Sequence, residues 1–142
     1  MRALFLCLLI GLLTWGQPLI ARDFEAGTKV LLQVSDKDPA LFKRVLTNAV
    51  NLIKHYGMDE VQVEIATYAG GVYLLEEGGK EAQRVKDLMI QGVEFSACGF
   101  TLDSLKRGKQ KPPKMLSGVQ VVPFGLPHIV ERQKQGYIYL RP

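Results

Sequence analysis

Hydrophobic positions along the chain change period in a regular order. Thr28 to Val34 (TKVLLQV) is a short run rich in Leu and Val, the pattern of a strand buried on both faces. After Ser35-Asp36-Lys37-Asp38-Pro39, the residues Leu41, Val45, Ala49, Leu52 and Tyr56 recur at helical spacing. Asp38 is placed to cap this helix, and Pro39 fits its first turn, where a missing N–H needs no partner. Gly57 is expected to end it in a left-handed conformation. Val61 to Ile65 (VQVEI) alternates strictly, which predicts a strand with one face less covered, nearer a sheet edge. Gly70-Gly71 breaks that strand, and a short helical turn is expected over Val72 to Leu75.

Ala82, Val85, Leu88 and Met89 give a second helical stripe that stops at Gly92. Val93 to Ala97 reads as a third strand, with Cys98-Gly99 at its end and a short helix around Leu102 and Leu105. Val119 to Val122 is a fourth strand. A helix carrying Ile129 and Val130 runs to about Gln135, and Tyr137 to Leu140 is a fifth strand. Such alternation of strands and helices argues an α/β fold with a parallel sheet covered on both faces. Sites in these sheets gather at the carboxyl ends of the strands. Asp36, Tyr68 to Gly71, Cys98 and Phe124-Gly125 all follow strands and are expected to share one rim.

Residues 1–21 (MRALFLCLLIGLLTWGQPLIA) have a different character. Arg2 is followed by an uncharged Leu-rich stretch, then Gly16, Gln17 and Pro18, with Ala21 as a small residue for cleavage. This is the pattern of a secretory signal peptide, and its apolar core is shorter than the ~20 residues of a spanning helix. The mature domain is therefore expected over residues 22–142, in the periplasm or secreted. The leader carries Arg2 and no acid, so its removal lowers the net charge from +4 to +3. That is too mild for the basic stripe expected of a nucleic-acid binder. Removal also takes Cys7, leaving Cys98 as a lone thiol that cannot form an intrachain disulfide.

Cys98 is the leading candidate for chemistry. It ends a strand where a helix begins, and backbone N–H groups at a helix start favour negative charge on sulfur. The alternative is a small buried core residue, as many free cysteines are. Gly99 allows close backbone approach beside it, and Asp36 with the Gly70-Gly71 loop is expected to help shape a pocket. The basic run 106–114 (KRGKQKPPK) is read as a loop that could fold over the thiol. His55, late on the first helix, is expected to be solvated or to stabilise the helix end. His128, after Pro127 at the start of the last helix, is within reach of the rim but is expected to cap or to lie at the surface. No CxxC, metal-ligand spacing or nucleotide-binding glycine pattern is present, so no metal and no cofactor is expected.

Four segments carry a family resemblance: VLLQVSDKDP, the helix with LTNAVNL, GVEFSACGFTL, and VQVVPFGLPHIVERQKQGYIYLRP. Together, from about Lys29 to Pro142, they resemble the DsrE/DsrF-like family of small sulfur-metabolism proteins. The resemblance implies a three-layer α/β/α sandwich on a five-stranded, mainly parallel sheet, assembled as homo-trimers or hexamers. It also implies a persulfide carried on Cys98, which would take sulfur from a donor and hand it to an acceptor. A non-catalytic oligomeric module that binds a ligand or a protein, with Cys98 structural, is the competing reading. A redox sensor acting through Cys98 is a third.

Overall fold

The computed structural model describes residues 27–142; the expected leader lies outside them. Five strands, β1 (Thr28–Val34), β2 (Val61–Thr67), β3 (Glu94–Cys98), β4 (Gln120–Val122) and β5 (Ile138–Leu140), form one sheet. Their order is β4-β3-β2-β1-β5, and every pair is parallel. Four α-helices connect them: α1 (Pro39–Tyr56), α2 (Ala82–Ile90), α3 (Gly99–Arg107) and α4 (Gly125–Lys134), with a 3-10 helix over Ala69–Leu75. This is the expected α/β sandwich.

The layering follows from the strand order. From β1 to β4 the chain steps one strand at a time in one direction, and then β5 returns beside β1 at the opposite edge. Parallel crossovers are right-handed, so connections that step in opposite directions lie on opposite faces. α1, α2, α3 and the 3-10 helix accordingly pack against one face, and α4 alone covers the other.

The first face is dry. Val30, Leu32 and Val34 of β1, Val63 and Ile65 of β2, and Phe95 and Ala97 of β3 meet Leu41, Phe42, Val45, Leu46 and Ala49 of α1. Asp38 caps α1 as expected, accepting from the Ala40 N–H at 2.8 Å, with Pro39 at the first position. Gly57 ends the helix at φ +96° and ψ 146°. Its φ is positive as expected, but its ψ is extended rather than left-handed helical.

The strand expected near an edge is instead the middle strand of the sheet. β2 has β1 on one side and β3 on the other. Its alternation arises because Glu64 points into the interface with α4, where it is buried at 1 % exposure. The polar residue marks a buried polar layer, and a sequence alone cannot separate that from solvent.

Burial on the dry face sets a clear contrast. Leu46 is fully buried and Ile90 is 84 % exposed. Leu46→Ala is expected to lower unfolding free energy by about 2–5 kcal/mol, and Ile90→Ala to stay within about 0.5 kcal/mol of the parent. Urea denaturation of the two variants checks this; equal losses would contradict the assignment of the core.

Candidate functional site

The connection leaving β3 leads to α3 on one face, and the connection leaving the adjacent β4 leads to α4 on the other. Where neighbouring strands send their chains to opposite faces, a crevice opens at their carboxyl ends. Cys98 is the last residue of β3 and pairs with Val122, the last of β4, so it stands at the mouth of this crevice. It is also the N-cap of α3. Gly125, the first residue of α4, donates its N–H to the Cys98 sulfur at 3.2 Å. Cys98 makes no side-chain cap bond to α3, whose Phe100 N–H goes to the Pro123 carbonyl oxygen, so the N-terminus of α4 is the helix end that meets the sulfur.

Gly125 leaves room for that approach. A Cβ at this position would lie 3.0 Å from Tyr68 Cβ and 3.2 Å from Cys98 Cβ, tight enough that both neighbours would have to move back by a few tenths of an ångström. The next residues suit a helix start: Pro127 lacks an N–H in the first turn, where no intrahelical partner exists. The sequence places Phe124-Gly125 on the rim, but not the direct contact between Gly125 and the thiol. The turn after β4 was its only signal.

Cys98 is 5 % exposed. It lines a cleft of about 310 Å³ with Tyr68, Phe100, Thr101, Phe124, Gly125, Leu126 and Pro127. The Phe100 and Phe124 rings lie 5.9 Å apart, and both residues are exposed at the rim. No charged side chain lines this cleft. On the other side of Phe100 and Thr101 lies a second cleft of about 630 Å³, whose walls include Lys37, Gly70, Tyr73 and Gln110.

The expected rim residues divide between these places. Tyr68, Cys98, Phe124 and Gly125 meet in one cleft. Gly70 lines the neighbouring one, and Gly71 is buried against the end of β1, where a Cβ would lie 2.1 Å from the Val34 carbonyl oxygen. Gly99 packs its backbone on β4, with its Cβ position 3.1 Å from the Val122 carbonyl oxygen. Asp36 lies away from the thiol, accepting from Ser35 Oγ and 3.5 Å from the Arg141 guanidinium. The basic run splits: Lys106 and Arg107 end α3, Arg107 lies over the Phe100 ring at 5.2 Å, and Lys114 pairs with Glu77. That pairing holds the Glu77 carboxyl below the usual carboxylate range.

Beneath α4 the sheet carries a polar layer that continues from the cleft. Alternation along β3 puts Glu94, Ser96 and Cys98 on this face. Ser96 Oγ donates to Glu64 Oε1 at 2.7 Å, and His128 Nε2 meets the same oxygen at 2.5 Å. Arg132 Nε faces Glu64 Oε2 at 2.6 Å, off the N–H axis, so this contact is an ion pair rather than an aligned hydrogen bond. Arg132 also donates to Glu94 at 2.8 Å, and Gln62 donates to the other Glu94 oxygen at 2.9 Å. His128, expected at the surface, is thus a partly buried member of a charged cluster. The cluster holds a hydroxyl, a carboxylate and an imidazole, but the carboxylate stands between the other two. This order cannot activate Ser96 as a nucleophile, which needs the imidazole against the hydroxyl. Among the described residues no group of three or more His, Cys, Asp or Glu is placed to hold a metal ion.

Tyr137 completes the layer. Its ring lies 5.1 Å from the Arg132 guanidinium, and its hydroxyl is buried without a hydrogen-bond partner. Burial pushes its pKa up to about 12; Arg132 opposes the rise, and Glu94 and Glu64 add to it. The folded value lies above the ordinary 10.0, so folding favours the protonated phenol. This contribution is whole below about pH 10 and is lost as pH rises through about 12. The urea midpoint of the parent is expected to fall across that window, and Tyr137→Phe to flatten the fall. Parallel curves for the two proteins would contradict it.

Comparisons with known proteins place the fold and no activity. No family model matches the chain, and no curated protein matches it. Among solved structures, a protein of unknown function from Bacteroides thetaiotaomicron, BT1422, shares the fold, with TM-score 0.59, 19% identity, 82% of this chain covered and 97% of that chain. A protein of unknown function from Methanobacterium thermoautotrophicum, MTH1491, matches with TM-score 0.72 and 31% identity, over 81% of this chain and 99% of that chain. At that identity, over the whole length of the methanobacterial protein, this chain belongs to the same family as MTH1491.

Proposed function

We propose that the protein is a sulfur carrier of the DsrE type that forms a persulfide on Cys98. The observation that supports this reading best is the Gly125 N–H on the Cys98 sulfur, at the head of α4 and inside an open cleft. In the proposed reaction the Cys98 thiolate attacks a sulfane sulfur of a polysulfide. A new S–S bond forms, the old one breaks, and its electron pair leaves on the shortened polysulfide. An acceptor thiolate then attacks the outer sulfur and Cys98 leaves as thiolate, so no outside oxidant or reductant is consumed. The Gly125 N–H holds the sulfur anion at the start and end of the cycle. The leader-like pattern of residues 1–21 supports a periplasmic or secreted setting for this chemistry, and the family resemblance supports a homo-trimer or hexamer.

A binding module with a structural Cys98 is the second reading, favoured by the low exposure of the thiol and by the exposed rim of Phe100, Phe124 and Leu126. Intact mass of the purified protein after polysulfide treatment separates the two. The carrier reading expects a gain of one sulfur atom, removed by reductant and absent in Cys98→Ser. A folded parent that gains no sulfur, and whose thiol is alkylated only after unfolding, would overturn it in favour of the binding module.

A further inference from the structure

The Gly125 N–H meets the Cys98 sulfur only while the first turn of α4 stays over the end of β3. Apolar packing holds this helix weakly. Ile129 is its one buried hydrophobic side chain, joined by Leu31, Ala66 and Tyr137 in a small cluster, whereas α1 buries five apolar residues. Polar contacts take the place of a larger core. Gly125, His128 and Arg132 are spaced to share one face of α4, and Cys98, Ser96 and Glu94 share one face of β3. The contacts form successive rungs: Gly125 on Cys98, His128 on Glu64 beside Ser96, and Arg132 on Glu64 and Glu94.

We infer that Glu64, acting through His128, is a positioning residue for Cys98: their contact holds the first turn of α4 so that the Gly125 N–H stays on the sulfur. The inference takes Cys98 as the working sulfur and so rests on the reading above. His128 lies one helical turn from Gly125, while Arg132 lies two turns away and fastens the far end. A carboxylate only accepts, so His128 Nε2 carries the proton in this contact. The charged and titratable groups facing the pair are Arg132 from α4, Glu94 from β3 and the Tyr137 phenol ahead of β5. Ser96 adds a neutral donor from β3.

Two substitutions at one position separate positioning from packing. His128→Leu keeps bulk and removes the donor, and His128→Gln places an N–H near the site of Nε2. Amide hydrogen exchange of the ¹⁵N-labelled protein reads the Gly125 N–H directly. His128→Leu is expected to speed Gly125 exchange about tenfold or more, and His128→Gln to stay near the parent. The Leu32 and Ile65 amides of the core, which exchange only when the whole domain opens, should speed by no more than the loss of unfolding free energy that urea denaturation reads for the same variant. Glu64→Gln should repeat the His128→Leu pattern, which covers the case where His128→Leu does not fold. Gly125 exchange unchanged in the variants, or a Gly125 amide that in the parent is already as slow as Leu32 and Ile65 and speeds only by their factor, would overturn the inference, because the N–H would then open only with the whole domain. Neither readout involves sulfur transfer. A parent that gains no sulfur while Gly125 responds as expected would therefore overturn the carrier reading alone and support the positioning role.

Discussion

A carboxylate in the middle of a sheet constrains everything around it. Glu64 sits on the central strand β2 at 1 % exposure, and an unpaired charge there would cost several kcal/mol. Its partners must come from elements packed against it, and they do: Ser96 from β3, and His128 and Arg132 from α4. Because His128 and Arg132 are one turn apart on α4, satisfying Glu64 sets both the position and the direction of that helix over the sheet. The N-terminus of α4 is then delivered to the end of β3, where Gly125 meets Cys98. The thiol's environment is in this sense a consequence of a charge buried one rung away.

The two faces of the sheet divide the work. The face under α1, α2 and α3 is a continuous apolar core that supplies most of the stability. The face under α4 is small and polar, with Gln33 held between the hydroxyls of Tyr68 and Tyr139 beside the charged cluster. A directional polar interface fixes geometry more sharply than a greasy one, because misaligned hydrogen bonds leave buried groups unpaired. The face that meets the crevice is the one built this way. Its cleft presents an apolar, aromatic wall with no charged side chain, and backbone N–H is the polar group that touches the sulfur.

Much of the fold was legible because it rests on local signals. Asp38 and Pro39 at the start of α1, the Leu41/Val45/Ala49 stripe and the runs of β1 and β3 each state their element within a few residues. The rim was legible too, since strand ends share an edge in a parallel sheet, and Cys98 and Gly125 both lie there. What was hidden is long-range. The alternation of VQVEI points to a strand near an edge, because the partners of Glu64 lie 32, 64 and 68 residues away in Ser96, His128 and Arg132. His128 looks like a capping or surface residue for the same reason. Asp36 follows a strand like the others, yet its side chain turns to Ser35 and Arg141; strand-end position gives the rim, and the side chain's own partners decide what faces the thiol.

The most direct test of this account is a double-mutant cycle on unfolding free energy between Glu64→Gln and Arg132→Met. Each single change is expected to cost about 3 kcal/mol or more, because each leaves a buried partner uncompensated. The double variant should cost less than the two together by at least about 1 kcal/mol. Costs that add to within about 0.5 kcal/mol would mean that Glu64 does not hold α4, and the account of how Gly125 is brought to Cys98 would fail.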